Sequence, residues 1–189
     1  METYAFTLIL DLNDRQLTDE VIRVFYESGL DDALIGETAG VVFADFSRKA
    51  NDALDAVICA IRQVEDAPLG VRVIRTEPDD IVTVTDIARR LKRTDESIRL
   101  LINGQRGPGR FPAPTTRISA SRSRVWRWSD VVSWFDKYEN SREISKMVDY
   151  SSKLALVNDL LRSREHFHSQ DPGVQKARET LVGRSISIC

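Results

Sequence analysis

Apolar and polar positions along this chain follow two periods in turn, and each change of period marks an element. The run YAFTLILDL (4–12) reads as a buried strand. In 18–29, Val21, Ile22, Val24 and Phe25 form one helical face, with Thr18 as the expected N-cap, Glu20 in the first turn and Gly29 as the stop. DALIGE and GVVFADF are two short strands, and Thr38-Ala39-Gly40 between them suits a hairpin turn. The stretch 47–67 spaces Ala50, Leu54, Val57, Ile58, Ile61 and Val64 as one face of an amphipathic helix, ended by Pro68 and Gly70. VRVIRT (71–76) alternates as a strand. The order β-α-β-β-α-β is that of the ferredoxin-like split βαβ unit, which hosts many unrelated functions and names none. The expected fold class is α+β, with a ferredoxin-like unit at 1–78 joined to the rest by an acidic connector, EPDD (77–80).

Beyond the connector the helical period returns in shorter pieces. Thr85 is placed to cap a helix through Leu91, and Thr94 to cap a second through Ile102, with Ser97 three residues on. Ile87, Ala88, Leu91, Ile98 and Leu101 make a shared apolar seam, and the turn KRT between the helices lacks glycine. Two helices joined by so short a turn are a helix-turn-helix arrangement. TTRIS and RVWRW can pair as a hairpin across ASRS, after an extended lead-in at Phe111-Pro112-Ala113-Pro114. Trp126 and Trp128 then share one strand face, turned to the core, and Arg127 takes the other. Ser129 is the expected cap of a short helix over 129–139. In 144–161, Met147, Tyr150, Leu154, Val157 and Leu161 recur at steps of three and four. Such a seam either packs back on the chain or pairs with a second copy. The expected organisation after the first unit is a winged helix-turn-helix at 81–139, a C-terminal helix at 141–165 and a loosely ordered tail at 166–189.

Charge sharpens this division. The net charge of −2 is the sum of very unequal parts. Residues 1–80 carry 7 basic and 17 acidic side chains, residues 81–128 carry 11 and 3, and residues 129–189 carry 9 of each. A block at +8 beside a unit at −10 is where a polyanion binds. The segment 103–135 holds six arginines and no acid before Asp130. Arginine offers a permanent charge and a fork that matches phosphate.

Other chemistries find little support. No run approaches the roughly 18–20 apolar residues of a bilayer span, and the N-terminus lacks the basic start of a signal peptide. A cytoplasmic protein with no membrane partner is expected. Cys59 and Cys189 give neither a disulfide framework nor a metal spacing. GQRGPG has glycines but no lysine followed by Ser or Thr, so it is no phosphate loop. No serine-elbow motif occurs, and His166 and His168 sit in a polar stretch as surface residues. No enzymatic activity and no cofactor are expected. RNA recognition on a ferredoxin-like sheet needs basic charge there, which the acidic unit lacks.

TVTDIARRLKRTDESIRLLING followed by GRFPAPTTRISASRSRVWRWSDVVSWF resembles the winged helix-turn-helix of the excisionase-like branch of the MerR superfamily, which includes the AlpA-type prophage regulators. The resemblance rests on Thr85, Ile87-Ala88, Leu91, Ser97-Ile98, Leu101-Ile102, Gly104, Phe111-Pro112, Pro114, Trp126-Arg127, Ser129-Asp130-Val131 and Trp134-Phe135. It covers 81–135, with QRGPGR inserted before Phe-Pro, and leaves 1–80 outside. It implies sequence-specific binding of double-stranded DNA by a transcription regulator of prophage or mobile-element type. A recombination directionality factor uses the same module, and an adaptor acting through the acidic unit is a further alternative. The resemblance puts helix 94–103 in the major groove, with Ser97, Arg99 and Asn103 on the bases. Arg106, Arg110, Arg117, Arg122 and Arg124 fall on phosphates, and Thr85, Arg89 and Thr94 belong to the same surface. Asp95 and Glu96 either read cytosine amino groups or complement the helix dipole. Expected partners are DNA, a second copy of the chain, and a protein or ligand for the acidic unit.

Overall fold

The computed structural model describes residues 1–115, 124–167 and 170–181. Strands β1 (Glu2–Asp11), β2 (Ala33–Thr38), β3 (Val41–Ala50) and β4 (Arg72–Glu77) form one antiparallel sheet in the order β2-β3-β1-β4. Helices α1 (Asp19–Glu27) and α2 (Ala53–Asp66) connect them in the chain order β-α-β-β-α-β. The second part runs β5 (Ile81–Val82), α3 (Val84–Arg90), α4 (Asp95–Ile102), β6 (Trp126–Arg127), α5 (Trp128–Glu139), α6 (Arg142–Phe167) and α7 (Pro172–Leu181). The fold is mixed α+β with a small antiparallel sheet. Among the described residues, no helix is long and apolar enough to cross a membrane.

The sheet forms because β1 alternates. Phe6, Leu8 and Leu10 turn to a core shared with Phe25 of α1 and Val57 and Val64 of α2. Each such side chain contributes about 1.5–3 kcal/mol on burial. Thr18 caps α1 as expected, its Oγ1 accepting from Val21 N at 3.3 Å. The hairpin turn between β2 and β3 holds Ala39 at φ 52° and Gly40 at φ 76°. Two left-handed residues in a row match the twist of the flanking strands. The helix expected from residue 47 instead begins at Ala53, capped by Asp52, whose Oδ1 accepts from Leu54 N at 2.8 Å. Ser47 to Ala50 continue β3, paired with Ala5 to Glu2.

Helix α6 joins the two parts. Tyr150, Leu154, Val157 and Leu161 enter the core of the sheet unit. Ile144, Met147 and Val148 join a second core made by Val82, Ile87, Ile98, Leu101, Trp126, Val131 and Phe135. The seam is therefore taken up by the chain's own core, and it is not the open face a second copy would need. Asn158, 1% exposed, covers the edge of β4: its Oδ1 accepts from Thr76 N at 2.7 Å and its Nδ2 donates to Thr76 O at 3.0 Å. A side-chain amide here takes the place of the missing neighbour strand. Tyr150 stacks on Tyr4 and donates its hydroxyl to Ala5 O at 2.6 Å, and burial pushes that hydroxyl up to about 12.

Several expected boundaries move in the second part. The cap of α3 is Thr83, not Thr85. Thr83 Oγ1 accepts from Asp86 N at 3.2 Å while Asp86 Oδ2 accepts from Thr83 N at 3.1 Å. Hydrogen bonds from Thr83 hold the Asp86 carboxyl below its usual range. Thr94 caps α4 as expected, accepting from Ser97 N at 3.2 Å. Trp126 and Arg127 pair with Val82 and Ile81. Between the two expected hairpin strands Thr115 N donates to Val125 O at 2.8 Å, and residues 116–123, which hold the rest of the first strand and the tip, lie outside the described residues. The C-terminal helix extends to Phe167, and the stretch expected as a loose tail contains α7, with Asp171 Oδ1 accepting from Val174 N at 3.0 Å.

Candidate nucleic-acid interface

Helices α3 and α4 pack through Ile87, Ala88, Ile98 and Leu101, all buried. The turn between them closes without glycine because Lys92 itself adopts φ 53° and Arg93 N reaches Ala88 O at 2.8 Å. This puts the outer side of α4 beside the start of α3. Between the two and the end of the basic segment lies a cleft of about 280 Å³, lined by Thr83, Val84, Thr85, Arg99, Ile102, Asn103, Arg124 and Trp126. Trp126 is fully buried and forms its floor. Arg124 stands over the Trp126 ring at 6.0 Å.

The cleft brings together four of the residues singled out from sequence: Thr85, Arg99, Asn103 and Arg124. Arg99 is 55% exposed and only loosely paired, at 3.6 Å from Asp95 and 3.9 Å from Glu96. Asp95 also accepts from Thr85 Oγ1 at 2.7 Å, so its carboxylate ties α3 to α4. Thr94 and Ser97 sit at the head of α4, outside the cleft lining, where Thr94 serves as cap. Arg89 lies on the outer face of α3, 74% exposed and paired with Asp86. Arg106 and Arg110 are exposed on the loop after α4. Arg117 and Arg122 lie outside the described residues.

That loop, which carries the QRGPGR insertion, is held rather than free. Phe111 packs 5.1 Å from Trp134, with Trp126 and Phe135 edge-on at 6.4 and 6.3 Å. Trp126 Nε1 donates to Pro112 O at 3.0 Å and Trp134 Nε1 to Gly109 O at 3.1 Å. Gly107, at φ 78°, passes so close to Leu101 that a Cβ would stand 2.9 Å from its Cδ2. Tryptophan N–H groups taken out of water need partners, and here the partners are loop carbonyls, which hold the segment that carries Arg106 and Arg110.

Three arginines of the basic block are not available to a ligand. Arg90 Nη2 donates to Asp79 O at 3.1 Å, its guanidinium lies 5.1 Å from the Trp128 ring, and burial lowers its pKa. Arg93 pairs with Glu139 over the Phe135 ring. Arg127 donates to Asp80 Oδ2 at 2.7 Å and to Asp159 Oδ2 at 2.9 Å, and these bonds, Asp80 first, raise its pKa. Searches against protein-family models, curated proteins and solved structures return no match.

The group that sequence reasoning missed is Asp80. It reads as one more surface acid in the connector, yet it is 5% exposed. Its Oδ1 accepts from Ser129 N at 2.7 Å, its Oδ2 from Ser129 Oγ at 3.1 Å and from Arg127 Nε, and its carbonyl from Trp128 N at 2.5 Å. Ser129 is thus not the cap of α5. Arg127 holds the N-cap position without a side-chain bond, and Asp80 supplies the acceptors from outside the helix. One carboxylate binds the start of α5, the β5–β6 pair and, through Arg127, helix α6.

Proposed function

We propose that the chain is a sequence-specific double-stranded DNA-binding protein. The α3–α4 pair with the basic segment after it acts as a winged helix-turn-helix, carried on a ferredoxin-like acidic unit. In this reading α4 lies in the major groove, and Arg106, Arg110, Arg117, Arg122 and Arg124 follow the phosphates. The observation that carries the reading is the convergence of Arg99, Asn103, Thr85 and Arg124 on one cleft from three separate parts of the chain. Arg99 is exposed and its ion pairs are long, so exchanging them for a base or a phosphate costs little. The acidic unit stays off the DNA by repulsion. By the resemblance of 81–135, the role is that of a transcription regulator of prophage or mobile-element type.

The test separates base contact from phosphate contact. A site is first selected from a random duplex pool with the full chain. Arg99→Ala is expected to cost about 1–3 kcal/mol on that site and less on random duplex, whereas Arg124→Ala weakens both about equally. Gel-shift titrations read both numbers. Equal losses from the two variants on both DNAs contradict the assignment of α4.

A further inference from the structure

The four-stranded sheet has one covered face and one open face. α1, α2 and α6 pack on the side of Phe6, Leu8 and Leu10. On the other side the register aligns Leu34, Asp45, Thr7 and Glu77 in one cross-strand row, and Gly36, Phe43, Ile9 and Arg75 in the next. These rows border two shallow open grooves. Leu34 is 68% exposed and Val41, beside the second row, is 40% exposed. The end of the Phe43 ring covers Gly36, where a Cβ would stand 2.7 Å from Phe43 Cζ. A glycine covered by an aromatic ring leaves the face level.

Three properties of this face name an occupant. The first is size. β1 and β3 are ten residues long and β2 and β4 six, so at about 4.8 Å between strands and about 3.3 Å per residue the face covers roughly 500 Å². With side-chain relief, that suits a small, weak interface, below the roughly 800 Å² per partner of a standard one. The second is charge. Residues 1–80 carry a net −10, but the open face carries Asp11, Asp45 and Glu77 against Lys49, Arg72 and Arg75, in balance. The third is symmetry of sign. A two-fold axis through the Phe43–Ile9 row, perpendicular to the strands, sets Glu77 of one copy against Arg72 of the other, and the two Arg75 side chains that meet on the axis are each bound by their own Glu77 at 2.9 Å. A level, apolar-centred, nearly neutral surface on an otherwise acidic unit fits a surface identical to itself.

We propose that the open sheet face is where a second copy of the chain docks, sheet against sheet. The surface does not depend on the DNA reading, and the test is run without DNA. Light scattering of the full chain is expected to give a dimer at about tens of micromolar, the range of a modest interface. Leu34→Glu/Val41→Glu is expected to give a monomer with an unchanged circular dichroism melt, because both side chains are exposed. Leu34→Glu alone, at the most exposed position, weakens the dimer with no effect on folding. Leu156→Glu/Leu160→Glu places the same charges on the solvent side of α6, where both leucines are exposed, and is expected to leave the dimer intact. A monomeric wild type overturns the proposal. So does a dimer that survives Leu34→Glu/Val41→Glu, or one that dissociates with the α6 pair.

Discussion

Leu154→Asp/Val157→Asp is expected to abolish the cooperative melt of the full chain. Leu154 is 3% and Val157 4% exposed, and both sit in the core shared by β1, β4 and α2. Removing a buried aliphatic side chain costs about 2–4 kcal/mol before any charge is considered. Two carboxylates in that core add several kcal/mol more, unless they are protonated or the helix detaches. The sum reaches the whole stability of an ordinary domain, about 5–15 kcal/mol. The same pair placed on a seam that only joined two copies would leave a folded monomer. Circular dichroism melting and light scattering on one sample therefore distinguish the two roles of α6, and a well-folded monomer contradicts the packing described above.

The second large effect is expected at Asp80. Asp80→Ala removes three side-chain hydrogen bonds at once and leaves Arg127 held by Asp159 alone. Loss of a helix N-terminal acceptor costs about 1 kcal/mol. Loss of a buried, charge-assisted bond costs about 1.5–3 kcal/mol. Arg127 is partly exposed, so water relieves some of its loss, and a total of about 2–4 kcal/mol is expected. Asp79→Ala is the control. Its side chain lies 3.7 Å from Arg162 at the surface, and its loss is expected to stay within about 1 kcal/mol. Denaturant titration gives both values. Equal, small changes in the two variants would mean that Asp80 is an ordinary connector residue.

The first 80 residues were largely legible because β1, α1, β2 and β4 each follow a single clear period. The misplaced start of α2 shows the limit: Ala50 fits the helical face, but Ser47 to Ala50 are held by pairing with Ala5 to Glu2 of β1, far earlier in the chain. The cap at Thr83 was within reach, since Thr83-Val84-Thr85-Asp86 has a Thr followed three residues later by an acid. The start of α7 was also readable from Asp171-Pro172, an acceptor before a proline at the first helical position. Asp80 was not readable. Nothing local marks it as buried, because its partners lie 47 and 49 residues further on. For the same reason composition could not separate Arg90, Arg93 and Arg127, which hold the structure together, from Arg99 and Arg124, which line the cleft.

The basic segment is expected to bind duplex DNA through its arginines, and a salt titration of the full chain on a labelled duplex reads this out. With about six phosphates engaged, log K is expected to fall against log salt with a slope near −5. A folded chain that shows no binding at low salt, or a slope near zero, contradicts the claim.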